Sequence, residues 1–236
     1  MLRGLFGFGP KIAVPSKEWV QERLVPLDST PDLCELEEKP THLLFVYDAK
    51  MSGFNPNAFG EGAERLWNGF TVDNFTLMNQ RLGKASAPVA LSGDKYKSIV
   101  QTPTYAGFKV HRGVVPAKPI KGEVWEIPHK MFISLDKEMD NTLYYERRYV
   151  KIAVPYRYLK QSKERGNYLT ERVVEKVKAF MYVGIPDYWD NLVENIELFK
   201  PVSLYKANSP INGSDQFYFW TPREYEITKE ISPTGE

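Results

Sequence analysis

The sequence predicts a strand-rich α+β fold, a sheet or small barrel carrying few helices. Three observations predict it. Aromatic residues make up 14% of the chain, with fourteen Tyr and thirteen Phe, and flat rings pack well on pleated surfaces. Seventeen Pro and sixteen Gly punctuate the chain throughout. From Leu43 onward, short apolar runs alternate with turn residues, the pattern of successive strands. At 236 residues the chain suits one sizeable core with extensions.

Taken in order, residues 1–40 form an N-terminal extension. Ser16 is placed to cap a short helix through Trp19, Val20 and Leu24 before Pro26, and Pro31 to open a second turn through Leu33 and Leu36. Neither is long enough to stand alone, so both need a surface to pack on. Residues 43–47 are continuously apolar between Pro40 and Asp48, which predicts a central strand buried on both faces. Further strands are expected at 70–77, 89–91, 98–100, 107–110 and 123–127. Residues 149–154 and 176–183 alternate, with Val150, Ile152 and Val154, then Val177, Ala179, Met181 and Val183, each on one face. Helical spacing occurs twice, at 131–139 through Phe132, Leu135 and Met139, and at 188–196 through Trp189, Leu192, Val193 and Ile196, with Asp187 as a cap. After Lys200 the Pro-containing, polar stretch 201–236 reads as a tail, loose at 232–236. The expected organisation is 1–40 extension, 41–200 barrel and 201–236 tail.

Composition narrows the function classes. A net charge of +1 removes any whole-protein argument for polyanion binding. No apolar run approaches the ~18 residues of a membrane span, so no membrane partner is expected. The glycine-broken opening does not read as a signal peptide. Cys34 is the only cysteine, which fits a reducing cytoplasm and sits beside Glu35, Glu37 and Glu38, a setting that disfavours a thiolate. His42, His111 and His129 are far apart in sequence with no zinc-ligand spacing, so no metal is expected. Gly7 to Lys11 lacks the strand and the Gly-Lys-Ser/Thr ending of a phosphate loop.

Three clusters carry candidate chemistry. Asp136, Glu138 and Asp140 crowd three carboxylates, an arrangement that pushes at least one pKa toward the range of a general base, but the pattern by itself assigns them to the solvated end of a helix. Glu123 and Glu126 fall on opposite faces of one strand, with an exposed edge charge as the default reading. Between Arg147 and Tyr168, seven Lys/Arg residues interleave with tyrosines. Such mixtures bind single-stranded nucleic acid. A basic solvent face is the simpler account, and nucleic acid is not the expected partner.

In chain order, Phe45-Val46-Tyr47-Asp48-Ala49-Lys50, Phe75-Thr76-Leu77-Met78, Ala87-Pro88-Val89-Ala90-Leu91, Gly122-Glu123-Val124-Trp125-Glu126-Ile127, Leu135-Asp136, Tyr145-Glu146-Arg147 and Ala179-Phe180-Met181-Tyr182-Val183 resemble the motifs of the gamma-glutamylcyclotransferase-like family. The likeness runs from about Leu43 to Val183. It implies a small mixed barrel with flanking helices, and a reaction that converts a gamma-glutamyl compound into 5-oxoproline and a free amine. In that chemistry a glutamate relays the proton and the loop after the first strand holds the substrate, without metal or cofactor. Carried over by position, Tyr47, Asp48, Ala49 and Lys50 hold substrate and Tyr145 lies near the pocket. Three positions depart from the family: Asp48 stands at the loop glycine, Met139 at the catalytic glutamate and Asp140 at the glycine after it. Two expectations result. Either Glu138 acts as a displaced general base on a small gamma-glutamyl compound, or the protein is a non-catalytic relative that binds a ligand or a protein partner through its N-terminal arm and C-terminal tail.

Overall fold

The computed structural model describes residues 40–80, 88–104, 107–161, 168–193, 199–211 and 213–221. The readings at Gly7 to Lys11, Ser16, Pro31, Cys34, Lys163, Arg165 and 222–236 lie outside the described residues. The described chain runs β1 (Thr41–Val46), β2 (Glu64–Thr71), β3 (Phe75–Gln80), β4 (Pro88–Ser92), β5 (Lys95–Thr104), β6 (Gly107–Val115), β7 (Lys121–Pro128), α1 (His129–Glu138), β8 (Tyr145–Gln161), β9 (Tyr168–Gly184), α2 (Pro186–Val193), β10 (Phe199–Pro201), β11 (Leu204–Ile211) and β12 (Ser214–Tyr218).

Strands β1, β7, β2, β8 and β9 close into a barrel in that order. Four of the pairings are antiparallel, and β9 returns to β1 in parallel at Leu44 and Phe180, so the barrel is mixed, as expected. The run at 43–47 is apolar because β1 has a neighbour on each side and Leu44, Phe45, Val46 and Tyr47 are all buried. The predicted alternation holds for the inward face, and the outward face is covered in part. Val150, Ile152 and Val154 of β8 and Val177, Ala179, Met181 and Val183 of β9 are buried; on the other face Lys151 and Lys176 are exposed, whereas Ala153, Phe180 and Tyr182 are buried as well, Phe180 against Phe132.

Helix α1 covers the outside of the barrel with Phe132 and Leu135, Phe132 meeting Phe180 edge-on at 4.9 Å. Burying those two side chains is worth roughly 1.5–3 kcal/mol each, and it fixes where the helix ends. Gly122 allows β7 to approach β1 closely: a Cβ there would lie 2.2 Å from the Val46 carbonyl oxygen. The Gly of the Gly122-Glu123 pair is therefore a packing requirement.

Several boundaries differ from the sequence reading. The strand expected at 70–77 is two strands, because Asp73 and Asn74 form a turn in which the Thr71 hydroxyl donates to the Asp73 carbonyl at 2.7 Å. Pro186 opens α2 and Asp187 sits in its first turn rather than capping it; residues 194–196 of that expected helix lie outside the described residues. Beyond residue 200 the chain keeps packing. β10 pairs with β3, Val202, Tyr218 and Trp220 are buried, and Trp220 Nε1 donates to Asn79 at 2.8 Å. Prolines signalled a tail there, yet Pro201 sits at the end of a three-residue strand, where it does not interrupt a ladder. Among the described residues no helix is long and apolar enough to cross a membrane.

Candidate functional site

The loop after β1 is built around its own backbone. Tyr47 is buried, its hydroxyl donating to the Tyr182 carbonyl at 2.8 Å and accepting from the Ala90 N–H at 3.3 Å. Burial, with Tyr145 and Asp48 adding to it, raises that phenol well above its usual range, so it stays neutral. Asp48 accepts the Lys50 N–H on its side chain at 2.9 Å and the Met51 N–H on its carbonyl at 3.0 Å. Ser52 gives its N–H and its hydroxyl to Glu123, at 2.7 and 2.6 Å. The amides of residues 50, 51 and 52 are thus satisfied inside the protein. Asp48 is not among the residues with positive φ. Its carboxylate closes the turn that a glycine would form by conformational freedom.

Opposite this loop stands the end of α1. Met139 is the C-cap, its N–H donating to the Leu135 carbonyl at 2.8 Å, and Asp140 takes φ +45°, a left-handed position that glycine or Asp fills best. Met139 lines a cleft together with Tyr47, Asp48, Lys50, Leu135 and Tyr182. Its cavity volume is about 20 Å³, room for a single water. Glu138 is not part of that wall: its side chain is 57% exposed and its Oε1 lies 2.5 Å from Lys50 Nζ at the rim. Burial pulls the Lys50 ammonium down, but Asp48 and Glu138 outweigh it and raise its pKa.

Of the predicted site residues, Tyr47, Asp48 and Lys50 share the cleft wall, and Glu138 reaches only Lys50. Ala49 is half-buried against the core and lies off the wall. Tyr145 also lies off it, accepting from Gln80 Nε2 at 3.0 Å and packing on Trp189, its phenol raised by burial. Asp136 holds the cleft's back wall: it accepts the Tyr182 hydroxyl at 2.7 Å and pairs with Arg147, whose guanidinium lies 4.6 Å from the centre of the Phe132 ring. Burial first, and then Asp136, raises the Tyr182 phenol. Of the three crowded carboxylates, Asp136 thus braces packing, Glu138 sits at the rim and Asp140 shapes the chain reversal.

Glu123 corrects the expectation of an exposed edge charge. β7 lies between β1 and β2, so Glu123 is 7% exposed and accepts from the Ser52 N–H, the Ser52 hydroxyl and Trp125 Nε1. Arg65 Nε lies 3.0 Å from its Oε1 as an ion pair, without aiming its N–H at the oxygen. Glu126, on the opposite face, accepts from the Thr41 hydroxyl at 2.8 Å. Two of the dispersed histidines also meet: the β1–β7 register brings His42 Nε2 to 2.9 Å from His129 Nδ1. Among the described residues no three His, Cys, Asp or Glu side chains gather closely enough to hold a metal ion.

No protein-family model and no curated protein sequence matches the chain. Among solved structures it is similar to an AIG2-like protein from Mus musculus, at 19% identity over 64% of this chain and 84% of that one, with a TM-score of 0.40. It is also similar to a gamma-glutamyl cyclotransferase, at 13% identity over 80% and 99% of the two chains, TM-score 0.32. A third is a uropathogenic E. coli-specific protein, at 15% identity over 70% and 89%, TM-score 0.37. Likenesses at these identities concern overall shape and leave the chemistry to the residues themselves.

Proposed function

We propose that the protein is a non-catalytic relative of the gamma-glutamylcyclotransferase-like barrels and works by binding, as an assembly protein. The observation that carries this reading is the exchange of places at the end of α1. A thioether that cannot move a proton faces the cleft, and the neighbouring carboxylate faces solvent with a lysine as its partner. A general base must reach the proton it takes, within about 3 Å or through one water. Glu138 is turned about 100° around the helix from Met139 by the 3.6-residue repeat. The loop supports the same reading: the carboxylate of Asp48 occupies a backbone donor and repels an anionic substrate group from the site.

Two ribbons favour assembly as the remaining role. β5 and β6 pair only with each other among the described residues, and β8 and β9 remain paired past the barrel out to Gln161 and Tyr168. Strand edges of this kind offer backbone donors and acceptors to a partner chain.

Titration of isotopically labelled protein with 5-oxoproline, followed through the amide resonances of Asp48 and Ala49, tests the binding half of this claim. No saturable shift is expected. A saturable shift confined to that loop would overturn the reading and return the cleft to small-molecule binding.

A further inference from the structure

A second cavity shares no lining residue with the cleft. It measures about 140 Å³, and its walls include Gly53 and Phe54 of the loop, Asn68 of β2, Lys121 and Glu123 of β7, and Phe219. A cavity on the order of 150 Å³ with apolar walls admits one benzene ring, so the space suits a single ring or an alkyl group of that bulk.

Its rings are fixed from behind. Phe54 stacks on Trp220 with centroids 4.9 Å apart, and Trp220 is itself fully buried and bonded to Asn79. Phe219 lies under the Lys121 ammonium, 4.2 Å from the ring centre. The charges differ in what they have left to give. Glu123 already accepts three hydrogen bonds, from the Ser52 N–H, the Ser52 hydroxyl and Trp125, and its charge is countered by Arg65 at 3.0 Å. Lys121 has no carboxylate partner among the described residues, and burial alone lowers its pKa. Asn68 accepts from Arg65 on Oδ1 at 2.8 Å, which leaves its amide N–H groups as donors. Asn68 is paired with Glu123 across β2 and β7, so Lys121, two residues before Glu123, is its diagonal neighbour on the same face. Such neighbours lie about 7–8 Å apart at Cα, a gap one carboxylate group can bridge.

We propose that this cavity binds a small aromatic monocarboxylate, its carboxylate held by Lys121 and Asn68 and its ring between Phe54 and Phe219. A half-buried cation, an amide with free donors and a ring-sized space flanked by Phe54 and Phe219 are complementary to that ligand class. A gamma-glutamyl dipeptide is too large and too polar for the space.

Sodium benzoate is the probe, titrated into the full-length protein and followed by amide shifts. Saturable shifts at Gly53, Lys121 and Gly122 are expected, with a dissociation constant on the order of 1 mM for a ligand of this size. Benzyl alcohol, which keeps the ring and lacks the charge, should bind about tenfold more weakly or less, as should benzoate to Lys121→Gln. Asn68→Ala, which removes the second proposed carboxylate donor, should likewise weaken benzoate binding. The proposal is overturned by non-saturating shifts spread over the surface, by equal affinity for benzoate and benzyl alcohol, or by benzoate affinity that neither substitution changes.

Discussion

The loop between β1 and β2 meets two carboxylates, and it treats them in opposite ways. Its far half delivers Ser52 to Glu123, which is 7% exposed and takes three aligned hydrogen bonds with Arg65 alongside. Its near half delivers Lys50 to Glu138, which is 57% exposed and, among the described residues, has that one lysine as its ion-pair partner. The difference teaches what sets a carboxylate's role. Removed from water, an anion must be surrounded by donors and becomes a fixed part of the structure. Left in water, the same group forms an ion pair of small worth. Neither carboxylate lines the cleft, whose wall at the end of α1 is Met139.

The largest expected effect breaks the buried half. Glu123→Ala strands the Ser52 amide and hydroxyl, the Trp125 indole and the Arg65 cation. It should cost about 3–5 kcal/mol, measured by chemical denaturation. A cost under about 1 kcal/mol would show that the loop is not anchored there.

Alkaline pH sharpens the comparison next. The Tyr47 and Tyr145 phenols are raised above their ordinary value of 10.0 in the folded protein, chiefly by burial. Above pH 10 the unfolded chain releases those protons while the folded one keeps them, so the unfolded state binds fewer protons and stability falls as pH rises. Phenolate absorbance of the buried tyrosines should therefore appear together with loss of tertiary structure. Phenolate formation at Tyr47 or Tyr145 in a protein that stays folded would contradict the burial on which the near half of the loop depends.

The smallest effect concerns the exposed half. Glu138→Gln removes one surface ion pair and should change stability by no more than about 1 kcal/mol, as read from the same denaturation curves. A loss approaching that of Glu123→Ala would erase the distinction between the two carboxylates.

Much of the barrel was legible in the sequence because strand burial leaves a local record. The alternation of Val150, Ile152 and Val154 and the unbroken run at 43–47 each report how many sides of a strand are covered. Motif order singled out Tyr47, Asp48 and Lys50, and the helical stripe Met139; the structure places these four along one cleft. Glu123 was misread because exposure depends on strand neighbours, and nothing local says that β7 lies between β1 and β2. The same holds for His42 and His129, brought together only by register, and for Asn68, Lys121 and Phe219, which come from three separate segments. β10 to β12 escaped because prolines at strand ends look like prolines in a tail.

Release of 5-oxoproline from a panel of gamma-glutamyl amino acids and gamma-glutamyl amines, quantified by mass spectrometry for the wild-type protein beside Glu138→Gln, tests the central claim most directly. The account predicts that neither protein yields product above the uncatalysed background. Turnover by the wild-type protein that disappears in Glu138→Gln would contradict it and make the rim carboxylate a working base.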